Sequence, residues 1–152
     1  MERKRSQIPA VGEGQRGAEG HIAYLLRQAH AAVRFDIEQA LADLSVTQPQ
    51  FLIMTLVNAY PGCSSADLAR LAMLTPQTIS LIVANLERAG RLTRQVSPTH
   101  GRVHQLTLTP TGRDLVALCR ERTQVIEARL LAGLSPDDEH VIRRWLVDIA
   151  TR

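Results

Sequence analysis

Residues 74–90 read LTPQTISLIVANLERAG, and the reading of this stretch decides the fold. Ile79, Ile82, Val83 and Leu86 recur at the i, i+3, i+4, i+7 spacing that lines one face of a helix. Thr75 stands where an N-cap belongs, and Pro76 takes the first helical position, where a missing N–H costs nothing. Gly90 closes the helix in the manner of a C-cap. The first turn is of another kind. Thr75, Gln77, Thr78 and Ser80 are hydrogen-bonding side chains with no charge among them. A helix that buries its body and offers neutral donors and acceptors at its front end is built to meet a polar partner end-on.

The neighbouring segments give that helix a context. Upstream, SSADLARLA (residues 64–72) is a short helix whose Ser64, with Asp67 three residues on, forms a capping box with Asp in place of Glu; Ser65 is the other candidate cap. Tyr60-Pro61-Gly62 breaks a preceding helix predicted from Thr47 to Ala59, with Thr47 as cap and Pro49 in the first turn. Before it, a helical stripe runs from His21 to about Ala42 through Ile22, Leu25, Leu26, Ala29, Val33, Ile37 and Leu41. Downstream, LTRQV and VHQLTLT alternate with strand period, and the SPTHGR between them makes a long, basic hairpin loop. Thr109-Pro110 opens a helix that continues through Leu115, Leu118, Val125, Ile126 and Leu130 to Gly133. Ser135-Pro136 opens the last one, with Val141, Ile142, Trp145, Leu146 and Ile149 on one face. The first 17 residues, rich in Gly and without periodicity, read as a flexible basic arm, leaving 18–152 as a single domain.

Composition sets the outer bounds. With 152 residues, 45% of them hydrophobic and 22% charged, the chain suits one domain with a real core. Aromatics are 3%, so the core is aliphatic. No apolar run reaches the roughly 20 residues of a membrane span, and the N-terminus lacks the apolar segment of a signal peptide. A cytoplasmic protein with no membrane partner is the expectation. Cys63 and Cys119 lie far apart without CxxC spacing, which argues for free thiols rather than a zinc site or disulfide. The net charge of +3 is unevenly spread: residues 61–113 carry +4, the arm +2, residues 18–60 −2 and residues 114–152 −1.

Three short helices followed by a hairpin with an Arg-bearing loop is the order of a winged helix-turn-helix, whose second helix enters the DNA major groove by its N-terminal end. Gln77 is suited to adenine, and the hydroxyls of Thr75, Thr78 and Ser80 to phosphates or base edges. From Ser64 to Leu115, through SSADLARLAMLTPQTISLIVANLERAGRLTRQ and LTLTPTGRDL, the sequence resembles the MarR family of transcriptional regulators. The flanking helices match in order and length, extending the resemblance to about residues 20–152.

The resemblance implies a mainly α fold with a small β-hairpin wing (α+β), and a homodimer on a pseudo-palindromic double-stranded DNA operator. It assigns DNA binding to about residues 47–109 and a helical dimerisation layer to about 20–44 and 110–150. Where the family commonly has Asp-x-Arg at the wing tip, this chain has His100-Gly101-Arg102. Arg102 remains as the reader of a narrow minor groove, and the orienting carboxylate is replaced by His100, either a phosphate contact when protonated or a solvated loop residue. Arg94, with Arg88 and Arg91, is a candidate phosphate contact or part of a solvated face.

Resembling proteins respond to small aromatic acids or phenols held where the dimer layer meets the DNA-binding lobe, or to oxidants through cysteine. His30 and Arg34, with Arg27 on the same helix, offer a place for a carboxylate; a plain surface cluster is the other reading. Cys63, just ahead of a helix N-terminus where a thiol's pKa falls, is the redox candidate, and Cys119 among Leu115, Val116 and Leu118 reads as a buried small hydrophobe that serves as the alternative. Catalysis has little support. GEGQRG in the arm follows no predicted strand, Asp137-Asp138-Glu139 complements a helix N-terminus better than it suits a metal, and no cofactor motif is present. Two classes of function stand at this point: a dimeric DNA-binding regulator, by the resemblance a repressor relieved by a ligand, and a winged-helix module for protein–protein contact. The basic middle segment and the polar reading turn favour the first.

Overall fold

The computed structural model describes residues 8–96, 101 and 104–151. The chain divides into two compact units, Met1–Asp36 and Ile37–Arg152. In the first, a 3-10 turn at Gly14–Arg16 precedes helix α1 (Ile22–Leu41), whose last residues belong to the second unit. The Arg16 guanidinium donates to the Pro9 carbonyl at 2.9 Å, and the Gln28 amide donates to the Arg16 carbonyl at 3.5 Å. Part of the Gly-rich arm is thus held by hydrogen bonds within itself and to α1.

The second unit continues with α2 (Gln48–Ala59), α3 (Ser65–Ala72), α4 (Pro76–Arg88), the strands β1 (Leu92–Val96) and β2 (His104–Leu108), then α5 (Pro110–Leu131) and α6 (Pro136–Ala150). Each helix from α2 onward starts on a hydroxyl side chain in extended backbone: Thr47, Ser64, Thr75, Thr109 and Ser135. In every case that hydroxyl accepts the backbone N–H three residues on. Thr47 with Gln50, Ser64 with Asp67 and Ser135 with Asp138 complete full capping boxes. Each cap contributes about 1 kcal/mol, and between Ser64 and Ser65 the choice falls on Ser64.

β1 and β2 pair antiparallel from Leu92 opposite Leu108 to Val96 opposite His104. The loop after α2 adds to the sheet: Gly62 N–H donates to the Leu106 carbonyl at 3.3 Å, and Leu106 N–H donates to the Cys63 carbonyl at 3.0 Å. Gly62 makes this approach at φ +83°, in the left-handed region where a side chain is strained. The core gathers Ile53, Met54 and Val57 of α2, Leu68 and Ala72 of α3, Ile79, Ile82, Val83 and Leu86 of α4, Leu92, Leu106 and Leu108 of the strands, and Val116 and Cys119 of α5. Fully burying a side chain of this size stabilises the fold by roughly 1.5–3 kcal/mol, so α4 is held by its four buried residues.

The pattern changes at the end of the chain. No residue of α6 is buried, and Val141, Ile142, Trp145 and Leu146 are 53%, 40%, 39% and 43% exposed. Val125, Leu130 and Leu134 are exposed as well. The apolar stripe read from the sequence on the last helix is real, but in the single chain it faces outward. No single helix among the described residues is long and apolar enough to cross a membrane.

Candidate nucleic-acid interface

The turn between α3 and α4 is made by Met73 in the left-handed conformation, φ +53°. Its N–H donates to the Ala69 and Arg70 carbonyls, and Leu74 N–H donates to the Ala69 carbonyl at 3.1 Å, which seals the end of α3. This sharp reversal delivers α4 with its core face down. Ile79, Val83 and Leu86 are wholly buried and Ile82 nearly so. With these four anchored, the other side of the helix must face outward.

Of the residues expected to meet DNA, the structure brings Thr75, Gln77, Thr78 and Ser80 into one exposed turn. The Thr75 hydroxyl accepts Thr78 N–H at 3.2 Å and lies 2.8 Å from the Thr78 hydroxyl. Thr75 is therefore committed first to capping, and the pair of hydroxyls is held in fixed register at the helix entrance. Leu81, 64% exposed on the same outward side, was not among the expected residues. Its signal was in the helical wheel, since position 81 lies nearly opposite Ile79 and Val83.

The arginines are less available than their number suggests. Arg94 grips Glu87 with two hydrogen bonds, Nε to Oε1 at 3.3 Å and Nη2 to Oε2 at 2.9 Å. In place of an unengaged phosphate contact, Arg94 braces β1 against α4. A half-exposed pair of this kind is worth roughly 0.2–1 kcal/mol. Arg88 donates to Asn85 Oδ1 at 3.0 Å, Arg91 to the Ser45 carbonyl at 3.3 Å, Arg113 to the Leu108 carbonyl at 2.9 Å, and Arg70 to Asp67. His100 and Arg102 lie outside the described residues; the strands leading to them are in place as far as Val96 and His104.

The far end of α4 is clamped to the start of α5. The Gly90 carbonyl accepts the hydroxyls of Thr109 at 2.7 Å and Thr111 at 3.0 Å, and the Arg91 carbonyl accepts Thr109 N–H at 3.2 Å. Gly112 completes the joint, because a Cβ there would lie 2.0 Å from the Arg91 oxygen.

His30 and Arg34 are both exposed, one turn apart on α1. The two thiols are free and buried. Burial pushes the Cys63 thiol above its ordinary pKa, and the Asp67 carboxylate pushes it further; a backbone hydrogen bond offsets only part of this. That corrects the expectation of a depressed pKa. Desolvation and a capping carboxylate outweigh the backbone hydrogen bond that favours the thiolate. Burial raises Cys119 too, with Arg91 pulling the other way. Among the described residues no cluster of three His, Cys, Asp or Glu side chains is arranged to hold a metal.

Comparison with known proteins agrees with this geometry. The model of the MarR family matches residues 46–104. The HTH-type transcriptional repressor Rv2887 of Mycobacterium tuberculosis is 35% identical over 125 residues, 82% of this chain and 90% of that one. Among solved structures, the transcriptional repressor CouR bound to a 23-mer DNA duplex superposes with a TM-score of 0.78 at 27% identity, covering 86% of this chain and 92% of that one. The Mycobacterium tuberculosis protein Rv2887 in complex with salicylic acid gives 0.67 at 33% identity, covering 87% and 98%.

Proposed function

We propose, from the premise that this chain belongs to the MarR family, that it is a dimeric transcriptional repressor whose α4 reads a pseudo-palindromic operator and whose hold on DNA is relieved by a small aromatic acid. The observation that carries the reading is the exposed, uncharged turn of Gln77, Thr78 and Ser80 on a helix whose opposite face is fully anchored. A neutral front turn reads by hydrogen-bond pattern rather than by charge, which is what sequence discrimination needs.

In this reading Gln77 meets a base edge, Thr78 and Ser80 meet base edges or phosphates, and the Gln77 N–H at the start of α4 faces a phosphate, since Pro76 has no N–H and the Thr78 N–H bonds Thr75. Arg102 and His100 on the wing reach the neighbouring minor groove and backbone. The uncovered apolar stripe of α6 supports dimerisation, since a stripe of Val141, Ile142, Trp145 and Leu146 gains by covering. The relative that binds salicylic acid supports an aromatic carboxylate as effector, and His30 with Arg34 is our candidate for its charged anchor. In this reading the protein acts by binding rather than by catalysis, and it works in the cytoplasm.

The test is fluorescence anisotropy with the DNA upstream of the protein's own gene, beside a scrambled duplex, at several salt concentrations. One dimer per pseudo-palindrome with a steep salt slope supports the reading. Gln77→Ala should alter preference by roughly 1–3 kcal/mol at one base pair, and Arg102→Ala should weaken binding to all duplexes. Equal binding to both duplexes, unmoved by either substitution, refutes it.

A further inference from the structure

Leu81 is out of place by the ordinary logic of a surface helix. It is 64% exposed on the outward side of α4, where its neighbours are polar, and the leucine one and a half turns later, Leu86, is wholly buried. At about 100° per residue, Gln77, Leu81, Ala84 and Arg88 form one outward line, nearly opposite the buried Ile79, Val83 and Leu86. Gln77 heads this line and Leu81 follows one turn behind. The line therefore runs from a hydrogen-bonding amide, through a branched apolar side chain, to a small residue and then a guanidinium.

In the major groove only one group rewards an apolar side chain: the C5 methyl of thymine. We propose that Leu81 is a specificity-determining residue that reads a thymine methyl in each half-site, beside the base read by Gln77. This rests on the DNA-reading function proposed above. The helical rise of about 1.5 Å per residue puts Leu81 roughly 6 Å farther from the N-terminal end of α4 than Gln77. With a base step of about 3.4 Å, the thymine falls within one or two base pairs of the position that Gln77 specifies. A leucine there also disfavours cytosine, because its N4 donor is stripped of water without a partner in return.

The experiment separates the methyl from everything else about thymine. The full-length protein selects duplexes from a random library, and each thymine of the selected consensus is replaced singly by 2′-deoxyuridine, which removes only the methyl. For the wild type, one thymine per half-site should lose about fourfold in affinity on replacement, the weight of one buried methyl group. For Leu81→Ala the same replacement should change affinity by less than about 1.5-fold, and Leu81→Gln should shift the selected base at that position away from thymine. Gln77→Ala in parallel locates the adjacent position. Thermal melts of the variants check folding, which an exposed leucine should leave within a degree or two. A consensus in which no deoxyuridine replacement distinguishes the wild type from Leu81→Ala overturns this assignment while leaving the regulator intact. Failure to enrich any sequence overturns the DNA-reading function and this assignment with it.

Discussion

Gly112→Ala should destabilise the protein, although alanine is the better helix former. The substituted Cβ would stand 2.0 Å from the Arg91 carbonyl oxygen and 3.0 Å from its carbonyl carbon, both backbone atoms that cannot swing away. Ordinary contact needs about 3.2 Å or more, so the first turn of α5 and the α4–β1 turn must separate by about 1 Å. That separation falls on the Thr109 N–H to Arg91 carbonyl bond at 3.2 Å and the two hydroxyl bonds to the Gly90 carbonyl. Overpacking of this kind costs about 1–3 kcal/mol, and weakening the capping bonds adds about 1 kcal/mol. The helix propensity of alanine returns about 1 kcal/mol. The balance is a loss of about 1–3 kcal/mol, or some 3–10 °C in Tm for a chain of this size. Circular dichroism melts and urea titrations at matched protein concentration measure it, since a dimer's apparent stability depends on concentration. A variant equal to or more stable than the wild type would refute the reasoning, because propensity alone predicts that sign.

Three shorter predictions accompany it. Glu87→Gln should release the Arg94 fork toward phosphate and remove a carboxylate from the DNA-facing side, so DNA binding tightens and the log–log salt slope steepens by about one; anisotropy titrations at several salt concentrations read both. Cys63 should react with iodoacetamide at pH 7 more slowly than the same thiol in the urea-unfolded chain, because its raised pKa leaves less thiolate, and peptide mass mapping of labelled protein decides it. The Asp67 carboxyl is held below its usual pKa first by the backbone and side-chain hydrogen bonds of Ser64. Its folded pKa lies under the unfolded value, so the stability it contributes is present above about pH 4 and is lost as pH falls through the folded pKa. Asp67→Asn should flatten that part of the acid limb in urea titrations between pH 5 and pH 2.

Most of the architecture was legible because local signals agreed. The Ser or Thr before each of Pro76, Pro110 and Pro136, the break at Tyr60-Pro61-Gly62, and the periodic aliphatics all point to one set of helices. The reading turn was legible for the same reason: the cap and the buried face leave Gln77, Thr78 and Ser80 one place to go. What escaped were properties set by distant partners. Arg94, read as a phosphate contact or part of a solvated face, pairs with Glu87, seven residues earlier on another element, and that partner is not visible until β1 folds against α4. Cys63 looked activated because its helix position is local, whereas the burial that deactivates it comes from the packed core around it. Leu81 was readable on the helical wheel, since it falls outside the face of Ile79, Ile82, Val83 and Leu86.

The ion pairs also change how the charge pattern bears on function. Residues 61–113 carry +4, yet Arg70 is held by Asp67, Arg94 by Glu87, and Arg91 and Arg113 by backbone carbonyls. Four of the six arginines in the segment therefore stabilise the fold of the reading head before they meet DNA. In the proposed reading, discrimination then falls to Gln77, Thr78, Ser80 and Leu81 on α4, whose other end is held by the joint to α5. Gly90 and Arg91 present their carbonyls to Thr109 and Thr111, and Gly112 lets the α5 backbone close on them without a side chain between. A joint of two carbonyls, two hydroxyls and one glycine has little slack, so any displacement of α5 moves the end of α4 with it. The helix proposed to read the operator and the helix that leads to the uncovered apolar stripe are thus joined by a tight backbone contact. Gly112→Ala is therefore expected to weaken operator binding as well as stability in the proposed reading, because the joint it loosens holds the C-terminal end of the helix that carries Gln77 and Leu81.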